Sequence, residues 1–283
     1  MTDSIADAVR KGYGNVAQQG LGSHDDGVRS IANAFGYSDE ELGSIPAESN
    51  MGLSCGNPVA MASIREGEVV VDLGSGGGLD VFLAARQVGP SGRAIGIDMT
   101  GDMISLARAN ARKGNYDNVS FHLAEIEAMP IPSRSVDCVI SNCVLNLCED
   151  KDAALAEVFR ILKPGGRLAI SDIALRKELP AHVAQEMSAW TGCIGGALTI
   201  EDNREKLLRA GFTEVTIQDA QADLNAYRAG GAAACCGPST DCCSPSEEPQ
   251  EANFHDQMSA LLDTIDANEY AASVRIFALR PEA

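Results

Sequence analysis

An α/β protein built on a doubly wound sheet is what the sequence predicts, and three observations predict it. Short β-branched runs alternate with amphipathic helical stretches from Val69 onward, a glycine-rich turn joins the first run to the first helix, and an acidic residue closes the second run. Apolar runs of this kind, separated by helices, indicate parallel strands covered on both faces.

Residues 1–50 carry Gly and Asp turn clusters with short helical stretches at Ile5 to Lys11 and Val28 to Phe35, and read as an N-terminal attachment. Asn57 followed by Pro58 is an N-cap and first helical position, so a short helix is expected to run to about Arg65. The alternation then proceeds through a strand Val69–Leu73, a helix Leu79–Val88, a strand Ala94–Asp98 and a helix opening at Thr100. Strands follow at Val119–Leu123 and Val136–Ser141, then a helix Asp150–Leu162 and a strand Arg167–Asp172. Beyond them lie an irregular segment (180–199), a helix Glu201–Ala210, a strand Glu214–Gln218 and a closing strand Ser273–Leu279. The stretch 222–270 reads as an insertion, and its Gly, Ala, Ser, Pro and Cys-rich centre, about 230–250, reads as a mobile loop. The expected organisation is thus an attachment (1–50), a ligand-binding α/β domain (51–175) and a C-terminal region completing the second site (176–283).

At 283 residues and 45% apolar content the chain can bury one substantial core. With 22 basic against 40 acidic residues the formal charge is −18, and no basic stripe offsets it. Such a surface repels phosphate backbones and anionic membranes, which sets aside nucleic-acid and membrane partners. The polar stretch Met1 to Gly14 lacks the apolar core of a signal peptide. The uncharged run Met187 to Ile200 is too short and Gly-rich for a membrane span, which needs about 20 apolar residues. A cytoplasmic protein is expected, where nine cysteines point to ligation or redox chemistry rather than a disulfide framework.

The turn Asp72-Leu73-Gly74-Ser75-Gly76-Gly77-Gly78 lies between strand and helix, where backbone must approach a ligand closely. A dinucleotide fingerprint would place its third glycine at position 79, which is Leu79; the acid two positions before Gly74 suits a ligand with an amino-acid tail. Asp98 ends the next strand, where a carboxylate can accept from both ribose hydroxyls; a helix cap is the competing role. Ala124-Glu125-Ile126-Glu127 offers a carboxylate and a backbone N–H to an adenine ring, or else is a solvated acidic turn. With the turn Leu162-Lys163-Pro164-Gly165-Gly166, this ordered series resembles the class I, Rossmann-like S-adenosylmethionine methyltransferases over about Val69 to Asp172. The resemblance implies S-adenosylmethionine as cofactor, bound by Asp72, Gly74, Ser75, Gly76, Asp98, Met99, Glu125, Ile126 and Asn142.

Ligands of an open parallel sheet bind beyond the carboxyl ends of its strands, and this rule sorts the cysteines. Cys138 lies within the fourth strand and reads as a small buried apolar residue, while Cys148 precedes an acidic helix start without an evident partner. Cys143 follows the fourth strand, where a donor's methyl should point. Cys193 belongs to the segment leaving the fifth strand on that edge, and Cys55 precedes a helix whose N-terminus lies there too. Without Cys-x-x-Cys or His-x-x-His pairing these thiols do not read as structural zinc ligands; they suit a soft three-coordinate centre, or are three unrelated buried cysteines.

Tyr37-Ser38-x-Glu40-Glu41-Leu42, Cys55-Gly56-Asn57-Pro58, Gly96-x-Asp98-Met99-Thr100, Ser141-Asn142-Cys143-Val144-x-Asn146-Leu147 and Trp190-x-x-Cys193-Ile194-x-Gly196-Ala197 resemble the arsenite methyltransferase family, from about Ser38 to Gly211. That resemblance implies methylation of As(III) in arsenic detoxification. Cys143 and Cys193 would bind As(III), Cys55 would complete the site or form a turnover disulfide, and a cellular thiol system such as glutathione or thioredoxin would be the reductant. In one departure, no cysteine follows Tyr13-Gly14 before Cys55, where many members carry one. Tyr13 is left either to cover the donor or to stand exposed. The pairs Cys235-Cys236 and Cys242-Cys243 either capture arsenite and pass it inward or belong to a flexible insert. The competing functions are a C- or O-methyltransferase of a small organic acceptor such as a quinone precursor, which would want an acid or base near Cys143, and a non-catalytic metalloid-binding protein.

Overall fold

The computed structural model describes residues 5–179, 193–228 and 254–282. Five strands, β1 (Val69–Leu73), β2 (Arg93–Asp98), β3 (Val119–Leu123), β4 (Val136–Asn142) and β5 (Leu162–Leu175), pair in parallel in the order β3-β2-β1-β4-β5. The sheet then continues with β7 (Ala271–Leu279) and β6 (Thr213–Asp219), β7 running antiparallel to both its neighbours. The sheet is therefore mixed, not parallel throughout. A closing strand that follows β6 in the chain has slipped between β5 and β6, and an apolar run carries no mark of the direction in which it will pair.

Alternate strand residues face opposite sides, and the burial follows that period. Val71, Leu73, Ile97 and Val139 pack with Leu155, Val158 and Ile161 of α7 (Lys151–Ile161) and Leu207 of α8 (Ile200–Arg209). Val70, Ala94, Cys138 and Ile140 pack on the other face with Phe82 and Val88 of α5 (Leu79–Val88) and Ile104 of α6 (Gly101–Lys113). Ala32 and Tyr37 from the N-terminal stretch join this second core.

That stretch forms α1 (Ile5–Gln18), α2 (Asp26–Ala34) and α3 (Asp39–Gly43). A reciprocal cap starts α3: Ser38 Oγ accepts from Glu41 N, and Glu41 Oε2 accepts from Ser38 N at 2.8 Å. Asn57 caps α4 (Pro58–Met61) as expected, its Oδ1 accepting from Ala60 N, but the helix stops at Met61 rather than near Arg65. Thr100 makes no side-chain cap on α6; Asp98 Oδ1 accepts from Thr100 N instead. The presumed insertion 222–270 contributes a 3-10 turn (Leu224–Tyr227), α9 (Phe254–Thr264) and α10 (Ala267–Tyr270), and buries Leu224, Tyr227, Met258 and Leu262. Phe254, Met258 and Leu262 recur at four-residue spacing, a helical period that would have betrayed α9 in the sequence.

The chain winds β1 to β3 in one direction and β4 to β5 in the other. Register pairs Leu73 with Ser141, so the turns after β1 and β4 open side by side at the switch point, where such sheets bind ligands. Among the described residues no helix is long and apolar enough to cross a membrane.

Candidate active site

One cavity lies over the carboxyl ends of β1, β2 and β4. Its floor is the turn after β1. Gly74 at φ 63° passes close under Val144, and Gly78 at φ 99° starts α5 with its Cα against Phe82; an added Cβ would lie 2.6 Å from the Phe82 ring. Asp98 Oδ2 accepts from Gly76 N at 2.9 Å, which ties this turn to the end of β2 and leaves part of the carboxylate's acceptor capacity toward the cavity.

The cavity is acidic. Asp72 and Asp80 are each 4% exposed, and Asp98 lies beside them. Burial first, then the charges of Asp80 and Asp98, holds Asp72 well above the usual carboxylate range. Burial also lifts Asp98, and lifts Asp80 to about 6 against hydrogen bonds from Tyr37 and Asn142. Among the described residues, Arg10 is the one basic side chain lining the cavity, and it is ion-paired with Glu125. Ser75 Oγ is buried beside them without a hydrogen-bond partner. Clustered buried carboxylates and an orphan hydroxyl fit a cationic ligand with polar substituents. Met99 and Ile126 line the same cavity. Glu125 stands at its rim, engaged by Arg10 of α1.

Beside the cavity, which Cys143 lines, three cysteine sulfurs meet. Cys55, Cys143 and Cys193 are all buried, and their Sγ atoms lie within 4.8 Å of one another. The Sγ atoms of Cys55 and Cys143 are in contact, with Cα atoms 5.8 Å apart, inside the roughly 4.4–6.8 Å span that a disulfide bridges. Three distant stretches of chain deliver them. Cys143, directly after β4, takes φ 58° while its N–H donates to Ser171 O at 2.9 Å. Cys193 takes φ 65°, and its Sγ donates to Cys143 O at 2.8 Å. Cys55 is pinned by its backbone, N to Asn142 Oδ1 at 3.0 Å and O from Ser273 Oγ at 2.5 Å.

The walls around the thiols are apolar: Ile31, Phe35, Ile173, Ile194, Leu224 and Leu262. Burial, followed by the charge of Asp172, pushes the Cys193 thiol up, against a hydrogen bond from Tyr13. Tyr13 is thus not an exposed aromatic: its hydroxyl reaches the thiol cluster while its ring lines the cavity. Tyr227 donates to Ser54 O at 2.6 Å and lies 3.5 Å from Cys55 Sγ. Asp172, 3% exposed, accepts from Asn146 Nδ2 at 2.8 Å, and burial raises it to about 7. Cys138 is fully buried in β4 and its thiol is pushed up to about 12 by burial. Cys148 also lines the cavity, with its thiol pushed up to about 12 in the same way. Cys235, Cys236, Cys242 and Cys243 lie outside the described residues, as does Trp190.

Sequence reasoning missed Tyr37, Asp80, Asp172 and Tyr227. An acid in the first turn of α5 is ordinary helix chemistry, so Asp80 carried no separate signal. The tyrosines act 105 and 173 residues away along the chain, on Asn142 and Ser54.

Several proteins resemble the chain. An arsenite methyltransferase of Halobacterium salinarum is 45% identical over 193 residues, 68% of this chain and 49% of that protein. The arsenite methyltransferase of Mus musculus is 34% identical over 211 residues, 71% of this chain and 56% of that protein. The chain therefore spans about half the length of these curated relatives. Among solved structures, an arsenic(III) S-adenosylmethionine methyltransferase from Chlamydomonas reinhardtii superposes with a TM-score of 0.56 at 27% identity, covering 89% of this chain and 73% of that one. A family model described as a methyltransferase domain matches residues 64–221, more than half of the sequence, and the chain belongs to that methyltransferase family.

Proposed function

We propose that this chain transfers a methyl group from S-adenosylmethionine to trivalent arsenic held by Cys55, Cys143 and Cys193. The observation that carries the reading is the convergence of three buried cysteines beside an acidic cavity that one of them, Cys143, lines. In this reading Asp98 receives the ribose hydroxyls, Asp72 and the Gly74–Gly76 turn receive the amino-acid tail, and Met99, Glu125 and Ile126 flank the adenine. When bound, the cofactor supplies a methyl group on a sulfonium, which a soft lone pair can accept without a proton having to move.

What remains for the protein is orientation and exclusion of water, and fixed geometry can contribute about 7–11 kcal/mol to such a reaction. Exchange of three thiols for the three hydroxides of As(OH)3 forms three As–S bonds and releases three waters, each thiol proton leaving on a hydroxide. No net charge is created. A raised Cys193 pKa is therefore no obstacle to this exchange, because the thiol never has to stand in the apolar pocket as a free anion. The same arrangement disfavours a C- or O-methyltransferase: Asp172 is the carboxylate whose charge acts on Cys193, and it is already bonded to Asn146 and to Ile173 N.

Methyl transfer spends the arsenic lone pair, leaving arsenic oxidised by two electrons as S-adenosylhomocysteine departs. Closure of Cys55 onto Cys143 as a disulfide would return those two electrons to arsenic and remove two ligands. A reducing dithiol or glutathione system that reopens the disulfide is therefore the implied co-substrate, and detoxification the implied role. Arsenite incubated with methyl-labelled S-adenosylmethionine, with and without a dithiol, should give labelled methylarsenicals that depend on the dithiol. Label that stays on the donor under all reducing conditions would overturn the assignment.

A further inference from the structure

Asn142, directly before Cys143, has a side chain that is over-subscribed. Its Oδ1 accepts from Cys55 N at 3.0 Å. Its Nδ2 carries two hydrogens but faces three acceptors: Tyr37 Oη at 2.8 Å, Gly56 O at 2.8 Å and Asp80 Oδ2 at 3.1 Å. Tyr37 spends its own proton on Asp80 Oδ1 at 2.7 Å. One amide thus grips the loop carrying Cys55 from both sides, N–H of Cys55 and C=O of Gly56, while competing for a carboxylate that faces the cavity. These groups are buried or half-buried, so water does not relieve the competition.

From this geometry we infer that Asn142, set by Tyr37 and Asp80, is a positioning residue that couples occupancy of the cavity to the spacing of Cys55 and Cys143. A cation beside Asp72 and Asp80 draws Asp80 Oδ2 toward itself. The two Asn142 hydrogens are then left with two acceptors, Tyr37 Oη and Gly56 O, and the amide closes more firmly on the Cys55 loop. Occupancy of the cavity thereby favours one disposition of the thiols over another. By linkage, filling the thiol site must tighten the cavity's hold on its cation by the same factor. The inference rests on the proposed donor and acceptor for its ligands, but the network itself is independent of arsenic.

Two measurements separate the two ideas. First, the full chain is titrated with arsenite, read by sulfur-to-arsenic charge-transfer absorbance, with and without saturating S-adenosylhomocysteine, whose ammonium group supplies the cation. The wild type should bind arsenite about 5-fold or more tightly in its presence, the lower end of ordinary coupling. Tyr37→Phe should bind both ligands and show a ratio near one; Asp80→Asn, which also loses a charge partner of the cation, should need more S-adenosylhomocysteine to saturate and, once saturated, show a ratio near one. Second, the fraction of Cys55–Cys143 disulfide is measured at a fixed glutathione ratio. S-adenosylhomocysteine should shift it in the wild type and leave it unmoved in the folded variants. Failure of arsenite to bind the reduced wild type would sink the arsenic reading while the second measurement still decides the coupling. An equal shift in wild type and both variants, or no shift in the wild type, overturns the coupling.

Discussion

Two of the three converging thiols stand on left-handed backbone, Cys143 at φ 58° and Cys193 at φ 65°. For a residue with a side chain this conformation costs on the order of 1–3 kcal/mol, and it persists where surrounding contacts over-determine it. Here they do: Cys143 N is held by Ser171 O, and Cys193 Sγ by Cys143 O. Serine in place of either cysteine keeps size and backbone but loses the soft ligand. Cys143→Ser and Cys193→Ser should lower arsenite methylation by more than about 100-fold, beyond the loss expected for a merely supporting residue at a metal site. Donor binding measured calorimetrically should survive, and retained methylation in either variant contradicts the site. Asp172 carries a prediction of another kind. Its folded value, about 7, lies above the ordinary 3.8, so the folded chain holds a proton that the unfolded chain releases. The stability it contributes is full below about 3.8 and is lost as pH rises to about 7. Thermal melts of Asp172→Asn should accordingly fall less steeply than wild type between pH 5 and 7.5. Parallel pH profiles would refute this origin.

At the scale of elements, α1 closes the cavity from above. Arg10 pairs with Glu125 on one rim and Ala6 N donates to Glu149 Oε1 on the other, while Val16 packs with Met51 and Met103 beneath. The main cores do not include α1. The Arg10–Glu125 pair is 35% and 56% exposed, so it contributes at most about 1 kcal/mol to stability. Arg10→Ala should shift Tm by less than about 4 °C. Donor release, followed by stopped-flow fluorescence, should nevertheless quicken several-fold; unchanged release would show that α1 does not gate the cavity. Elements bounded by sharp local chemistry were legible in the sequence. β1, β3 and α5 fall where the glycine turn and the β-branched runs placed them. The expected β5, Arg167–Asp172, is five residues short at its start and three at its end: Lys163-Pro164-Gly165-Gly166 looks like a turn, and in the fold it is an irregularity between the Leu162 pairing with Val136 and the Arg167 pairing with Cys138. The alternation of Thr213–Asp219 and Ala271–Leu279 revealed two strands but not their order, since order depends on which edge is vacant when the last one arrives.

For the whole molecule, the decisive element is β7. It fills the gap between β5 and β6 and buries Val274, Ile276 and Ala278 in the same core as α7. Val274 and Ile276 alone bury about 3–6 kcal/mol of apolar side chain, against a typical total stability of about 5–15 kcal/mol. A chain ending at residue 253 should show no cooperative urea transition by circular dichroism, although its first five strands are intact in sequence; a sigmoidal transition would mean the parallel part stands alone. The thiol site was legible as three positions on one sheet edge, but not as a closed pocket. Besides Ile31, Phe35, Ile173 and Ile194, its walls come from Leu224, Tyr227, Met258, Leu262, Ala267 and Ala271, in a stretch whose low-complexity centre disguised the helices that follow it.

Ser273 in β7 holds the carbonyl of Cys55, 218 residues upstream. During synthesis, then, the glycine turn and its acidic neighbours can assemble well before the sulfur ligands come to rest. A ribosome-arrested chain stalled short of residue 271 should bind arsenite no better than three loosely tethered cysteines do. Competence toward a toxic soft ion would thereby be deferred until β7 has been synthesised.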